Sequence, residues 1–463
     1  MDWGRPHNSE PRRKTSAGDD QPTGYQRPLV IVTILFFMWG FLTCLNDILV
    51  PHLKSIFNLS YAQVLLIQFF FFSAYFWFSI PAAKIVDWLG YQGAMVVGLL
   101  TMSAGAFLFV PAASLASYPL FLTALTILAA GITALQVAAN PYVIVLGSPQ
   151  TASSRLNLTQ AFNSLGTTIA PAVGSLLILS AAPLALEQIK GLSPLALQAY
   201  RSQQAASVKM PYIVIGLLLV LFAGVIGKSK LPRIASAQHS LGEQLNDSLW
   251  QHRNLILGAV AIFAYVGAEV AIGSFLVNYL SQPGIAGLAM KVAARYVSFY
   301  WGGAMIGRFI GSALLRKVRT KRLLGLCAAC ATALLVTSIL TSGQLATWSI
   351  LAVGLFNSIM FPSIFTLGLA ELGPLAGDGS GLLNMAIVGG AVVPLAQGFI
   401  ADRIGIHHAL FLPVICYLYV LYYGLAGSQP NSERILSTVT HEPQTSLAEV
   451  RTPSREIESE KWR

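Results

Sequence analysis

From residue 28 onward the chain runs in long apolar stretches separated by short polar breaks. About 20 apolar residues in a helix cover the ~30 Å hydrocarbon core of a bilayer, and lipid offers backbone groups no partner, so helical spans are the economical reading. Twelve such segments are expected, near 28–50, 62–86, 92–114, 119–146, 158–182 and 211–229, then 254–280, 293–315, 322–341, 346–371, 379–402 and 408–426. A polar stretch, "KSKLPRIASAQHSLGEQLNDSLWQHR", parts the first six from the last six. The expected organisation is a tail over 1–27, a six-helix bundle over 28–229, a linker over 230–253, a second bundle over 254–427 and a tail over 428–463.

The two halves echo each other. "NPYVIVLGSP" is followed by "NLTQAFNSLGTTIAPAVGSLLI" in the first, and "FPSIFTLGLAELGP" by "NMAIVGGAVVPLAQGFIADRIG" in the second. A proline-bearing span, a short loop and a Gly/Pro-interrupted span recur in the same order. The expected fold is therefore all-α, with twelve transmembrane helices in two pseudo-symmetric six-helix bundles. Duplicated bundles of this kind place their binding site near mid-membrane, where the halves meet.

Composition agrees with the pattern. Only 10% of residues are charged and 55% are hydrophobic, against about 25% charged for a soluble domain. The net charge of +10 does not form one patch interleaved with aromatics, which argues against nucleic acid. With both termini cytoplasmic, the inner segments hold 21 of the 29 Lys and Arg, including five in "RKVRTKR", and the outer loops hold seven. That excess fixes the orientation. Arg308 is left over, inside the eighth span. The polar, Pro/Ser-rich first 28 residues do not read as a cleavable signal, and a bacterial inner membrane is the expected location.

Ionisable residues within spans are costly, about 2.5–3.5 kcal/mol on insertion scales, and so mark function by default. Asp47 in the first span and Glu269 in the seventh are the two acids away from span ends, one per half. Asp47 has a second reading, since Pro51, His52 and Lys54 could place it among headgroups; Glu269 could instead bond a neighbouring span. The amides Gln136 and Asn140 are four apart, Gln160 and Asn163 three apart, spacings that share a helix face. Asn46, Asn357, Asn384 and Gln68 join them, with Trp39, Tyr265 and Trp301 nearby. Amides offer hydroxyls paired donors and acceptors, and aromatic faces cover the apolar side of a sugar ring. The competing reading is that such amides tie helices together, and Asn140 can repair the backbone bonds that Pro141 frees.

Enzyme chemistry finds no footing. No nucleophile–base or metal constellation is present, and "GGAMIGRFIG" and "VGGAVVP" lack the ending of a phosphate loop. Cys327 and Cys330 form a C-x-x-C without a second ligand pair, and all four cysteines read as small apolar fillers. No metal and no cofactor are expected.

Several motifs carry a resemblance: "FFMWGFLTCLNDILVPHLK", "LIQFFFFSAYFWFSIPAA", "LQVAANPYVIVLG", "RLNLTQAFNSLG", "FPSIFTLG" and the loop "GLSPLALQAY…VKMPY". From about 28 to 427 the chain is similar to the L-fucose–proton symporter family of the major facilitator superfamily. The resemblance implies that fold, and proton coupling and sugar binding at an aspartate matching Asp47, a fourth-span glutamate, and amides matching Gln160 and Asn163. The glutamate position is Gln136 here, and an acid stands instead at Glu269. That pattern, with "YVGAEV", resembles the glucose/galactose transporter branch.

The implied function is hexose import by proton symport, in a monomer whose partners are sugar, proton and lipid. The alternatives are fucose or N-acetylglucosamine as substrate, sodium as coupling ion, or a sugar sensor on a carrier fold. Under symport Asp47 and Glu269 are the proton-coupling candidates and Asp47 loads the proton, so Asp47→Asn is expected to abolish uphill accumulation while sugar exchange survives. Undiminished accumulation by that variant, measured with labelled sugar, would remove Asp47 from the coupling step.

Overall fold

The computed structural model describes residues 25–57, 61–115, 117–178, 188, 191–232 and 248–429, with side chains at 45–66, 172, 174–178, 201 and 204–208 outside that description. Among the described residues every regular element is helical. The first bundle comprises α1 (Gln26–Phe57), α2 (Tyr61–Ser114), α3 (Tyr118–Val145), α4 (Ala152–Ile178) and α5 (Pro194–Lys228). The second comprises α6 (Arg253–Leu280), α7 (Met290–Leu314), α8 (Thr320–Leu340), α9 (Gly343–Asn357), α10 (Met360–Gly368), α11 (Ala376–Met385), α12 (Gly389–Ile404), α13 (Ile406–Ala409) and α14 (Phe411–Tyr422). Each of the twelve expected spans falls on these helices.

The boundaries differ from the sequence expectation for local reasons. Spans two and three run together as α2, which turns at Gly90 (φ 69°, ψ 173°), a left-handed conformation that suits a residue without Cβ. Span ten is α9 plus α10, and span eleven is α11 plus α12 with a 3₁₀ turn at 386–388 between them. Span twelve breaks before Phe411, because Pro413 has no N–H to give the Ala409 carbonyl. The loop expected before span six is instead a helical extension of α5. Pro194 opens it and the Ser193 hydroxyl accepts from Ala196 N at 3.3 Å, a favourable N-terminus.

Nine segments of the described residues are long and apolar enough to cross a membrane, one of them the double-length Ile67–Ser114. The described parts of α4 and α7 are less apolar. They carry Arg155, Asn157, Gln160 and Asn163 on α4 and Lys291, Arg295 and Arg308 on α7. These two helices pack against each other across the bundles. Ser154 Oγ donates to the Ser312 carbonyl at 2.7 Å, Asn157 Nδ2 to the Arg308 carbonyl at 2.7 Å, and Thr320 Oγ1 to Ser153 at 2.9 Å. Trp77, Leu217, Leu221 and Leu326 stay exposed, a distribution that suits lipid rather than water.

A second seam joins α2 and α3 to α11. Lys84 Nζ reaches Asp378 at 3.0 Å and Asp87 at 3.3 Å, and Ser380 Oγ donates to the Val137 carbonyl at 2.8 Å. These contacts lie at one end of the molecule, with the Gly90 turn and the segment 316–322. Gln92 Nε2, donating to Ile226 and Ser229 carbonyls, and Arg155 Nε, donating to Val143, tie the same end together.

Within the first bundle α1 and α4 approach almost backbone to backbone. A Cβ on Gly166 would overlap the Phe37 carbonyl, and one on Gly40 the Asn163 carbonyl. Gly166→Val is therefore expected to lower the melting midpoint in detergent clearly, since overpacking typically costs about 1–3 kcal/mol. Gly302→Ala, which has open space around its Cβ, is the control and should leave the midpoint unchanged. Equal midpoints for the two variants would show that α1 and α4 are not held at this spacing.

Candidate functional site

The α1–α4 contact brings Trp39 and Asn163 to the inner face of the first bundle, and the α4–α7 seam sets the second bundle opposite. A cavity of about 190 Å³ opens between them, lined by Trp39, Gln136, Gln160, Asn163, Glu269 and Arg308 with Val266, Phe361, Pro362 and Ile387. A wider cavity of about 650 Å³ shares Asn163 and Arg308 with it and adds Thr43, Ser164, Trp301 and exposed residues such as Pro171 and Ala294. A third, of about 160 Å³, shares Trp39 and Asn163 and is lined by Tyr75. The chamber is thus polar on both sides.

Each first-bundle amide that lines the chamber donates one bond. Gln136 Nε2 donates to the Tyr75 hydroxyl at 2.7 Å, and Asn163 Nδ2 to the Phe36 carbonyl at 2.9 Å. Gln160 Nε2 donates to Asn140 Oδ1 at 3.3 Å. Asn140 itself is fully buried behind Gln160 and lines none of these cavities, and its Nδ2 has no partner. Trp39 is buried and meets Phe36 edge to face, while Trp301 is 44% exposed beside the wider cavity.

Asn357 and Asn384 sit elsewhere. Asn357 is buried inside the second bundle, where Nδ2 donates to the Tyr300 hydroxyl at 2.7 Å and Oδ1 accepts from the Tyr417 hydroxyl at 2.7 Å. Its carbonyl accepts from Tyr265 at 3.1 Å. Asn384 Nδ2 donates to the Ser380 carbonyl at 2.8 Å, within α11. Neither lines the chamber. Gln68 lines a separate, largely apolar cavity of about 470 Å³ with Phe399 and Asp402.

Glu269 lines the chamber from α6, and its Oε1 is buried without a hydrogen-bond partner. Tyr265 and Arg308 are its polar neighbours. The Tyr300 hydroxyl donates to the Glu269 backbone carbonyl at 3.4 Å, so the Asn357 network stands directly behind this acid. Asp47 and Asn46 lie on α1, but their side chains are outside the described residues.

Arg308 was legible in sequence as an unplaced cation in a span, and the same burial argument that singled out Glu269 applies to it. Tyr75, Tyr300 and Tyr417 left no such signal, since a tyrosine among apolar residues looks like packing. The arrangement can bind a neutral, hydroxyl-rich molecule between amides, an indole and a separated acid and base.

The sequence profile of the Major Facilitator Superfamily matches residues 30–394. The chain is 52% identical over 405 residues to the glucose/galactose transporter of Brucella abortus (strain 2308), covering 88% of this chain and 95% of that one. It is 36% identical to the L-fucose-proton symporter of Escherichia coli K12, covering 88% and 95%. The crystal structure of the transporter FucP in the outward conformation superposes with a TM-score of 0.80 at 34% identity, covering 86% of this chain and 98% of that one.

The tyrosine network gives a stability test. Asn357→Leu strips partners from two buried hydroxyls, and each unsatisfied group costs about 1–3 kcal/mol. A clear drop in the melting midpoint in detergent is expected, while Trp301→Leu, at an exposed position, should shift it little. A midpoint unchanged by Asn357→Leu would show that the tyrosines find other partners.

Proposed function

The chain belongs to the major facilitator superfamily, and on that premise we propose that it imports a hexose, glucose or galactose, together with a proton. The observation that carries the reading is the chamber between the bundles. It is lined by three amides, an indole and an acid with a free oxygen, and the Lys84–Asp378 and Ser154–Ser312 contacts join the bundles toward one end of it. A chamber gated at one end is what alternating access requires of a carrier at one stage of its cycle. The named activities of the relatives, glucose/galactose transport and L-fucose–proton symport, point the same way.

The closed end is the cytoplasmic end, because the basic segment 316–322 and Lys84 gather there. Both tails and the linker over 230–253 then lie in the cytoplasm, with the bundles spanning 28–229 and 254–427 as one monomer in a bacterial inner membrane. Asp47 is four residues beyond Thr43, which lines the wider cavity, and helical spacing puts the two positions on one face. Asp47 takes a proton from outside, and the carrier loaded with sugar and neutralised at that acid rocks to open inward. One proton descending 100 mV releases about 2.3 kcal/mol, enough for roughly 50-fold accumulation at one sugar per proton. Gln160 and Asn163 hold the sugar hydroxyls, Gln136 assists, and Trp39 covers the ring.

Sugar-induced pH change in cells or vesicles tests this directly. External alkalinisation on adding glucose or galactose, equal with and without sodium, is expected; fucose and N-acetylglucosamine complete the panel. Uptake that needs sodium and leaves pH constant would replace the proton by sodium. Binding without uptake in a transport-null cell would make the protein a sensor.

A further inference from the structure

Arg308 belongs to α7 and lines two of the cavities between the bundles. Its backbone is pinned by the bond from Asn157 Nδ2 to its carbonyl at 2.7 Å. Its guanidinium donates from Nη1 to Ser164 on α4, in the other bundle, and from Nε to the Ser358 carbonyl at 3.3 Å. A guanidinium has five N–H donors, so these two bonds leave the remaining donors without a protein partner. A positive group in the middle of a span, with donors to spare, calls for an acceptor.

Glu269 lines the same 190 Å³ cavity, with Oε1 buried and unpartnered. The two charged groups face one space without an ion pair between them. Opposite charges in a medium of low dielectric attract strongly. Ser164 and Ser358 hold the guanidinium where it is, and Tyr300 and Asn157 bond the backbone carbonyls of Glu269 and Arg308. What fits between a spare donor and a spare acceptor is a neutral group that offers both, as adjacent ring hydroxyls do.

We infer that Arg308 and Glu269 together hold one edge of the transported sugar, Arg308 donating to one hydroxyl oxygen and Glu269 accepting from a neighbouring hydroxyl. This inference rests on the sugar-transport reading and deepens it. The first-bundle amides take the opposite edge, so a bound sugar touches both bundles. Arg308 is then a specificity-determining residue, and the acid that the second bundle brings to the chamber works as half of a donor–acceptor pair.

The test is calorimetric titration of the purified full-length protein with D-glucose, D-galactose and their monodeoxy derivatives, comparing wild type with R308Q and R308K. R308Q is expected to weaken the parent sugar at least tenfold, since a charge-assisted hydrogen bond is lost. R308K, which keeps the charge without the planar fork, should recover part of the affinity. For the monodeoxy sugar that lacks the hydroxyl held by Arg308, wild type and R308Q should bind alike.

An equal factor of loss for the parent and every deoxy sugar would overturn the assignment and leave Arg308 as a tie between the bundles. So would an R308Q variant that binds the parent sugar normally. If R308Q does not fold, the same deoxy-sugar comparison made with R308K decides between these outcomes. Wild-type protein that transports a hexose while R308Q shows no sugar-specific defect removes this inference alone; wild-type protein that binds no hexose removes the transport reading and the inference with it.

Discussion

Inside hydrocarbon a polar side chain has no water to turn to, and that constraint organises this molecule. Every amide, hydroxyl or charge placed within a span must find a partner in the protein or face a cavity. The consequence is visible in the pairing of α4 with α7. Their described parts are the least apolar of the long helices, and each would be a poor neighbour for lipid. Packed together they satisfy one another through Ser154 and Ser312 and through Asn157 and the Arg308 carbonyl, and Thr320 at the start of α8 adds a bond to Ser153. The seam between the bundles is therefore where the polar residues had to go, and the chamber lies along it.

Satisfaction is complete around Asn357 and left open around the amides that line the chamber. The second bundle surrounds Asn357 with the hydroxyls of Tyr300 and Tyr417 and bonds its carbonyl with Tyr265. That network uses up the amide and passes through Tyr300 to the Glu269 backbone. The first bundle gives Gln136, Gln160 and Asn163 one donor bond each and leaves their other faces to the cavity. Amides of the same chemistry thus have two uses. What separates them is whether neighbouring side chains use both ends of the amide, as Tyr300 and Tyr417 do for Asn357.

This explains how far the sequence could be read. Apolar run length placed all twelve spans, and the resemblance carried by "LQVAANPY" and "RLNLTQAFNSLG" placed the first-bundle amides, because both are properties of a stretch of chain. The role of Asn357 is a property of three helices meeting. Periodicity says that it faces inward but not that Tyr417 waits there, so sequence groups it with the ligand amides whereas the structure buries it in a tyrosine network. Asn140 was read with Gln136 on one helix face, yet Gln160 stands between it and the cavity. Arg308 was visible as an intramembrane cation but had no partner in sequence. Its partners, Ser164 and Ser358, are 144 and 50 residues away, and only the fold makes them neighbours.

The same constraint explains why the two ends of the α2 face differ although their turns are alike. Asp87 and Gly90 end the first half of α2, and Asp402 and Gly405 end α12 with the same spacing. Both glycines are left-handed with extended ψ, at φ 69°, ψ 173° and φ 84°, ψ 154°. At the first turn Asp87 shares Lys84 with Asp378, and α2 is bound to α11. At the second, Asp402 is exposed at the rim of a cavity that reaches Gln68. Turn chemistry is not what distinguishes a joined end from an open one. The difference is the cation: Lys84 stands between two carboxylates from different bundles at the joined end. An exposed ion pair adds about 0–1 kcal/mol, small enough for such a seam to part. A weak clasp at the end of strongly packed bundles is what lets the bundles stay rigid while the contact between them changes.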